Sequence, residues 1–313
     1  MIFLFTGEEK FLLDKQLSTW KDAFIKKYWE NNLYIFQEDN FNAENIASAL
    51  AGWWLFDDKK FIIIKWIPKD SFQKVPNSEY LKLEDFITEH IDNLPEDNVI
   101  VFVSYKPDKR TKFYKFLSKN SNIQTKEFKL LNEKQLLAYL TDSYPISLSD
   151  ANYLIEKVWT NLMLLNNELQ KILKISNKID QRLIDKYVVQ NVEQDAFKLL
   201  DNLSNKKFLK ILSNLEESKE DFFKILWLLY WNLKNIILIL EQKKKGESAK
   251  WIASKLSLHP FVVNKIYKSK YDFNLIKLLF SELVNLDFNI KNWKIDVNLA
   301  YLYLKRALLK LNN

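Results

Sequence analysis

Over the first 131 residues, short continuous apolar runs alternate with segments of helical periodicity, and beyond that point the pattern changes to helices only. IFLFT (2–6), LYIFQ (33–37), FIIIK (61–65), VIVFVS (99–104) and Ile123–Phe128 read as strands. Between them Lys10–Tyr28, Ala43–Leu50, Glu79–Asp92 and Lys109–Lys119 read as helices. Strands this apolar have no wet face, and strands joined through helices pair in parallel. The pattern therefore predicts an α/β domain whose parallel sheet is covered on both sides. From Asn132 onward the sequence reads as helices alone. Asn132–Asp142, a segment over 147–158 capped by Ser147 or Ser149, a segment over 162–173, and Ile179–Val189 make a small unit. Ala196–Leu203, Lys206–Leu215, Asp221–Lys243, Lys250–Leu256, Pro260–Lys268, Phe273–Asn289 and Asp296–Leu311 make a larger one. The expected domains are 1–131 (α/β), 132–193 (small, all-α) and 194–313 (all-α). The run QKKKGES (242–248) is the one hinge candidate, with Gly246 as a helix cap.

Composition narrows the chemistry. Cysteine is absent, which excludes disulfide scaffolds, thiolate zinc sites and cysteine nucleophiles, and it suits a reducing compartment. MIFLFTGEEK lacks a basic leader region and reads as a first strand. The apolar stretch Ile225–Leu240 is interrupted by Asn232, Lys234 and Asn235, so no membrane contact is expected. The net charge is +7, and arginine occurs only at positions 110, 182 and 306. That positive field is lysine, which meets phosphate as a point charge rather than reading bases. It fits weak attraction to nucleic acid, and equally a lysine-rich proteome from an AT-rich genome.

No constellation of catalytic groups emerges. The turn TGEEKF (6–11) follows a strand and opens a helix, the place where backbone N–H groups cradle phosphate. It has a single glycine and two glutamates, Glu8 and Glu9, and it lacks the Lys-Ser/Thr pair of a phosphate loop. The two histidines, His90 and His259, have no partners at metal or triad spacing and read as structural. Asp57–Asp58, Glu216–Glu217 and Glu8–Glu9 are adjacent pairs whose side chains diverge. No catalytic residue, cofactor or metal is expected. The conspicuous feature is AGWWLFDDKKFIIIK (51–65), which puts Trp53, Trp54, Leu55 and Phe56 in a helix-to-strand connection. Such a cluster is either a core plug or an anchor for a partner's pocket, and periodicity alone favours the plug.

The order of these pieces resembles the delta-subunit family of the bacterial DNA polymerase III clamp loader. The matching stretches are FLFTGEEKFLLDKQL (3–17), LFDDKKFIIIK (55–65), DNVIVFVSYKPDKRTKFYKFL (97–117), VWTNLMLLNNELQKI (158–172), QDAFKLLDNL (194–203), LHPFVV (258–263) and KNWKIDVNLA (291–300). Their order and spacing, rather than any one of them, carry the likeness. The resemblance implies a degenerate AAA+-like domain of the P-loop NTPase type, then a lid-like helical bundle and a C-terminal collar domain. It implies a non-catalytic subunit that binds and opens the sliding clamp (the beta subunit) for loading onto primed DNA while other subunits hydrolyse ATP. The family's clamp-inserting Leu–Phe pair falls on Leu55 and Phe56, which reverses the preference for a plug; Trp53 and Trp54 flank the pair without matching it. Implied partners are the gamma/tau and delta-prime subunits through the collar, and weakly the primer-template DNA backbone. The implied location is the cytoplasm, at the nucleoid-associated replisome. The rival from another class is a stand-alone lysine-rich nucleic-acid-binding protein.

Glycine is the compositional anomaly, 3 residues beside 10 tryptophans. Trp66 follows the FIIIK run just before Ile67–Pro68, Trp159 separates two helices in VWTNL, and Trp293 occupies the turn KNWKID. All three are natural glycine positions. Either they are genuine tryptophans or they are glycines, encoded by UGA and written as tryptophan. Trp20 and Trp231 read as genuine core residues.

Overall fold

The structure is a computed structural model that describes residues 1–52, 59–70, 76–188, 198–200, 207–217, 221–269 and 271–310. The chain divides into two compact units, Met1–Leu130 and Leu131–Asn313. The further division expected near 193 lies outside the described residues.

The first unit is built on five parallel strands: β1 (Ile2–Thr6), β2 (Leu33–Phe36), β3 (Phe61–Lys65), β4 (Val99–Ser104) and β5 (Ile123–Glu127). Their order is β2-β3-β4-β1-β5, so the first strand pairs with the last two. Four helices connect them: α1 (Lys10–Lys27), α2 (Ala43–Ala51), α3 (Asn77–His90) and α4 (Lys112–Lys119). Alternation along each strand sends successive side chains to opposite faces. Leu4, Ile62, Ile64, Ile100 and Phe102 pack under α2, α3 and α4 through Ile46, Leu50, Leu83, Ile87 and Leu117. Phe5, Phe61, Ile63, Val101 and Val103 face α1 through Leu13, Leu17 and Phe24. This is the two-sided α/β sheet that the apolar runs predict. The start of α4 is later than expected because Thr111 caps it, accepting from the Tyr114 N–H at 3.2 Å, while Asp108 closes the turn before it.

Among the described residues of the second unit, regular structure is helical. The elements are α5 (Glu133–Ser143), α6 (Leu148–Val158), α7 (Leu162–Leu173), α8 (Gln181–Tyr187), α9 (Lys207–Glu217), α10 (Phe222–Lys244), α11 (Ala249–Leu256), α12 (Pro260–Lys268), α13 (Phe273–Lys291) and α14 (Ala300–Lys310). Starts follow the capping chemistry: the side chains of Asn132, Ser147, Asn161, Asp180, Ser248 and Asp272 each accept a backbone N–H of the first turn. Two boundaries move for the same reason. Asp180 rather than Asn177 begins α8, and Asp296 caps a 3-10 turn at Val297–Leu299 that delays α14 to Ala300. Helix α10 is long and apolar enough to cross a membrane by length and composition. Here it is a core helix, with Ile225, Leu229, Leu233, Ile236 and Ile239 buried among residues of α12, α13 and α14. Trp231, expected in that core, is instead 43% exposed, because with Trp227 and Lys234 it falls on the helix face away from Leu229 and Leu233.

Among the described residues, four non-glycine residues have positive φ: Trp66 (φ 72°), Trp159 (φ 76°), Ser257 (φ 53°) and Trp293 (φ 58°). For an L-residue this costs about 1–2 kcal/mol each.

Both histidines make local contacts. His90 stacks on Phe86 with ring centroids 4.6 Å apart. Half-buried His259 caps α12, its Nδ1 accepting the Phe261 N–H at 3.2 Å, and burial pushes its pKa down to about 4. The unfolded chain takes up this proton near pH 6.5 while the folded chain holds the ring neutral. This contribution is therefore complete above pH 6.5 and is lost as pH falls toward about 4, by at most about 3 kcal/mol. Urea unfolding across this range should show that loss, and His259→Asn, which keeps a capping acceptor, should flatten it.

Candidate functional site

Two places in the first unit bear on function, and the parallel sheet puts them at opposite edges. The turn after β1 lies at the carboxyl edge, where open α/β sheets bind nucleotides. The connection into β3 lies at the amino edge.

At the carboxyl edge the β1–α1 turn is closed over by the end of β5. The Phe128 N–H donates to Thr6 O at 2.6 Å, and the Glu9 N–H donates to Phe128 O at 3.0 Å. Gly7 has φ 131°, and a Cβ there would lie 2.0 Å from Phe128 O. Only glycine fits, because the backbone of residue 128 occupies the space. An N–H of the kind that a phosphate loop offers to its anion is thus already engaged within the protein. Acidic groups reinforce this. Glu9 is buried at the start of α1, and burial raises its pKa. Exposed Glu8 lies 3.5 Å from Lys106, and Lys109 donates to Glu127 at 2.6 Å, which holds the Glu127 carboxyl below its ordinary range. Deeper in, Asp70 is 2% exposed and accepts the Lys106 N–H at 2.6 Å and the Ser104 hydroxyl at 3.3 Å. Tyr105 donates to Asp14 at 2.9 Å. Carboxylates and ion pairs fill the edge where a triphosphate would need cations and free amides. Among the described residues no cluster of His, Cys, Asp and Glu is arranged to hold a metal.

At the amino edge, Leu55 and Phe56, with Trp53 and Trp54, lie outside the described residues. What the structure gives is the frame that holds their connection. Asn42 caps α2 by accepting the Asn45 N–H at 2.9 Å, and the Gly52 N–H closes the helix on Ser48 O at 2.9 Å. The described residues resume at Lys59–Lys60. Lys60 ties the two ends together, its Nζ donating to Gly52 O at 3.2 Å and lying 5.8 Å from the centroid of the Tyr34 ring. Its backbone is fixed as well: the Lys60 N–H donates to Asn98 Oδ1 at 3.0 Å, and Lys60 O accepts the Val99 N–H at 2.9 Å. Lys60 and Asn98 are 6% and 5% exposed, and burial lowers the lysine's pKa. The exit from α2 and the entry to β3 are thereby linked through the Lys60 side chain. Beside this frame an apolar hollow of about 340 Å³ opens, lined by Phe3, Trp20, Phe24, Lys59, Phe61 and Val99. Sequence reasoning missed Lys60 and Asn98. Each reads as an ordinary surface residue before a strand, and only the pairing of β3 with β4 brings them together.

Comparison with known proteins was made against this geometry. The family model described as "DNA polymerase III, delta subunit" matches residues 3–141, and that described as "DNA polymerase III delta subunit, C-terminal domain" matches residues 193–305. The chain is 22% identical to "DNA polymerase III subunit delta" of Bacillus subtilis (strain 168), over 99% of this chain and 93% of that protein. Among solved structures it is similar to "Bacillus subtilis DNA clamp loader delta protein (YqeN)", with a TM-score of 0.72 at 23% identity, over 99% of this chain and 95% of the other. That likeness shows a shared fold along nearly the whole length.

The closure at Gly7 makes a stability prediction. Gly7→Ala forces the β1–α1 turn away from Phe128 and adds backbone strain, so a loss of about 2 kcal/mol or more is expected in chemical unfolding. Ala51→Gly, at the end of α2, should cost under about 1 kcal/mol and serves as the reference.

Proposed function

Because the chain belongs to the DNA polymerase III delta-subunit family, we propose that it is the clamp-loader subunit that binds the sliding clamp and opens it for loading onto primed DNA. The observation that carries this reading is that delta-subunit models match both the α/β domain and the C-terminal helices. The tied connection at the amino edge supports it. Leu55 and Phe56 sit between Gly52 and Lys60, whose mutual hydrogen bond shortens the span the connection has to bridge. An apolar pair on a connection with fixed ends binds with less ordering cost than one on a free tail. Transfer into a pocket stabilises by roughly 1.5–3 kcal/mol per side chain of this size. Binding opens the ring only if the open form presents that pocket better than the closed one, since a ligand shifts an equilibrium by its difference in affinity.

The same reading makes this subunit non-catalytic toward ATP, as part of the polymerase holoenzyme. The Gly7 turn bonded to Phe128, with Glu8 and Glu9 beside it, supports that assignment. Gamma/tau and delta-prime subunits are the proposed partners through the C-terminal helices, with the primer-template backbone met weakly by lysine, in the bacterial cytoplasm. Trp53 and Trp54 are proposed as flanking contacts only.

Leu55→Ala combined with Phe56→Ala is expected to abolish clamp binding in calorimetric titration while the circular dichroism spectrum and unfolding midpoint hold. Affinity equal to that of the unaltered chain refutes the assignment. Salt-steep DNA binding by the purified chain, with no clamp affinity, would support the stand-alone nucleic-acid-binding alternative instead. ATP turnover by the purified chain above a no-protein background would overturn the non-catalytic assignment.

A further inference from the structure

We propose that Trp66, Trp159 and Trp293 are glycine in the protein as its cell makes it, each encoded by a UGA codon that the organism decodes as glycine and that has been written as tryptophan. This inference is independent of the clamp-loader reading.

Backbone conformation is the first argument. Among the described residues, positive φ occurs at Gly7 and Gly246 and at four others, of which three are tryptophan. Tryptophan is 10 of 313 residues, and a bulky side chain is among those least suited to this region. The fourth, Ser257, has a short polar side chain and an ordinary αL cap (φ 53°, ψ 38°). Trp159 combines φ 76° with ψ −164°, a region that is essentially glycine-only.

A comparison inside the chain is the second. Helix α10 ends in a Schellman cap: the Gly246 N–H donates to Lys243 O at 3.0 Å and the Glu247 N–H to Gln242 O at 3.2 Å. Helix α13 ends in the same cap, with the Trp293 N–H on Ile290 O at 3.0 Å and the Lys294 N–H on Asn289 O at 2.9 Å. The two caps share the positive φ, 85° and 58°, at the residue where glycine is preferred. Trp293 gains nothing there to offset the strain, because its side chain is 95% exposed.

Packing is the third. The Trp66 Nε1 is buried without a hydrogen-bond partner. Trp66 and Trp159 also meet rings, Tyr105 and Phe261, each at 5.9 Å, as Trp20 meets Phe3 and Phe5 at 4.8 and 5.2 Å; what sets Trp20 apart is that it sits within α1, where positive φ is not needed. Strain of this kind can be retained for function. These three residues instead lie at element ends, after β3, α6 and α13, and Trp66 follows the end of β3 opposite to Lys60. UGA is one base from the tryptophan codon UGG and is a stop codon in the standard code, so reading it as tryptophan turns a reassigned glycine into tryptophan at every occurrence. Trp53 and Trp54 are open to the same rereading, whereas Leu55 and Phe56 are not.

Tandem mass spectrometry of the protein isolated from its source cells should find glycine at 66, 159 and 293. Tryptophan at any of the three, or UGG in the gene there, overturns the proposal. In a standard-code host, the chain carrying Trp66→Gly, Trp159→Gly and Trp293→Gly should unfold at higher denaturant concentration than the chain as written, and a lower midpoint counts against the proposal. Trp20→Gly should lower the midpoint; an equal rise there would show that trimming any tryptophan stabilises, and would refute the strain argument.

Discussion

Strand β1 takes hydrogen bonds from β4 on one side and β5 on the other, and the first unit depends on that double pairing. It joins residues 2–6 to residues 99–104 and 123–127, so the chain closes on itself across its whole α/β length. The closure has a steric condition at Gly7, where the backbone of Phe128 takes the place a Cβ would fill. Once it forms, alternate residues of β1, β3 and β4 bury on opposite faces, and one helix on one side and three on the other have surfaces to cover. The outermost strand β5 carries polar residues at 124–127, and such charged edges resist pairing with another chain.

The same closure separates two chemistries. At the carboxyl edge it uses the Glu9 amide for the fold, and ion pairs between Glu8 and Lys106 and between Lys109 and Glu127 occupy the surface around it. At the amino edge Lys60 ties the exit of α2 to the entry of β3. Lys60 performs that tie as a buried cation, its Nζ donating to the Gly52 carbonyl.

Much of this was legible beforehand. The five strands match the expected runs within a residue at their ends, and β1, β3 and β4 were the plainest because a strand buried on both faces has no polar positions to obscure it. Helix starts were legible where Asn42, Asn132 or Ser147 precede an amphipathic stretch. Boundaries moved where two capping residues stood close together, as with Asn177 and Asp180. Trp231 was misplaced because α10 is apolar nearly all round, so that hydrophobicity alone does not say which face is inside. The candidate site was legible as an apolar cluster in an unusual place, and the family resemblance picked out Leu55 and Phe56 within it.

By itself the sequence determined the element types, the change from α/β to all-α near residue 131, the lack of thiol chemistry and the three turns that call for glycine, because each follows from local periodicity or from one residue's conformational range. Only the tertiary structure decided the strand order, the engagement of the β1–α1 turn by Phe128, and the meeting of Lys60 with Gly52 and Asn98. Those depend on contacts between residues far apart in the chain, which local pattern does not encode. The positive φ at Trp66, Trp159 and Trp293 belongs to both: the sequence marked the positions, and the fold fixed the backbone angles that a tryptophan side chain fits poorly.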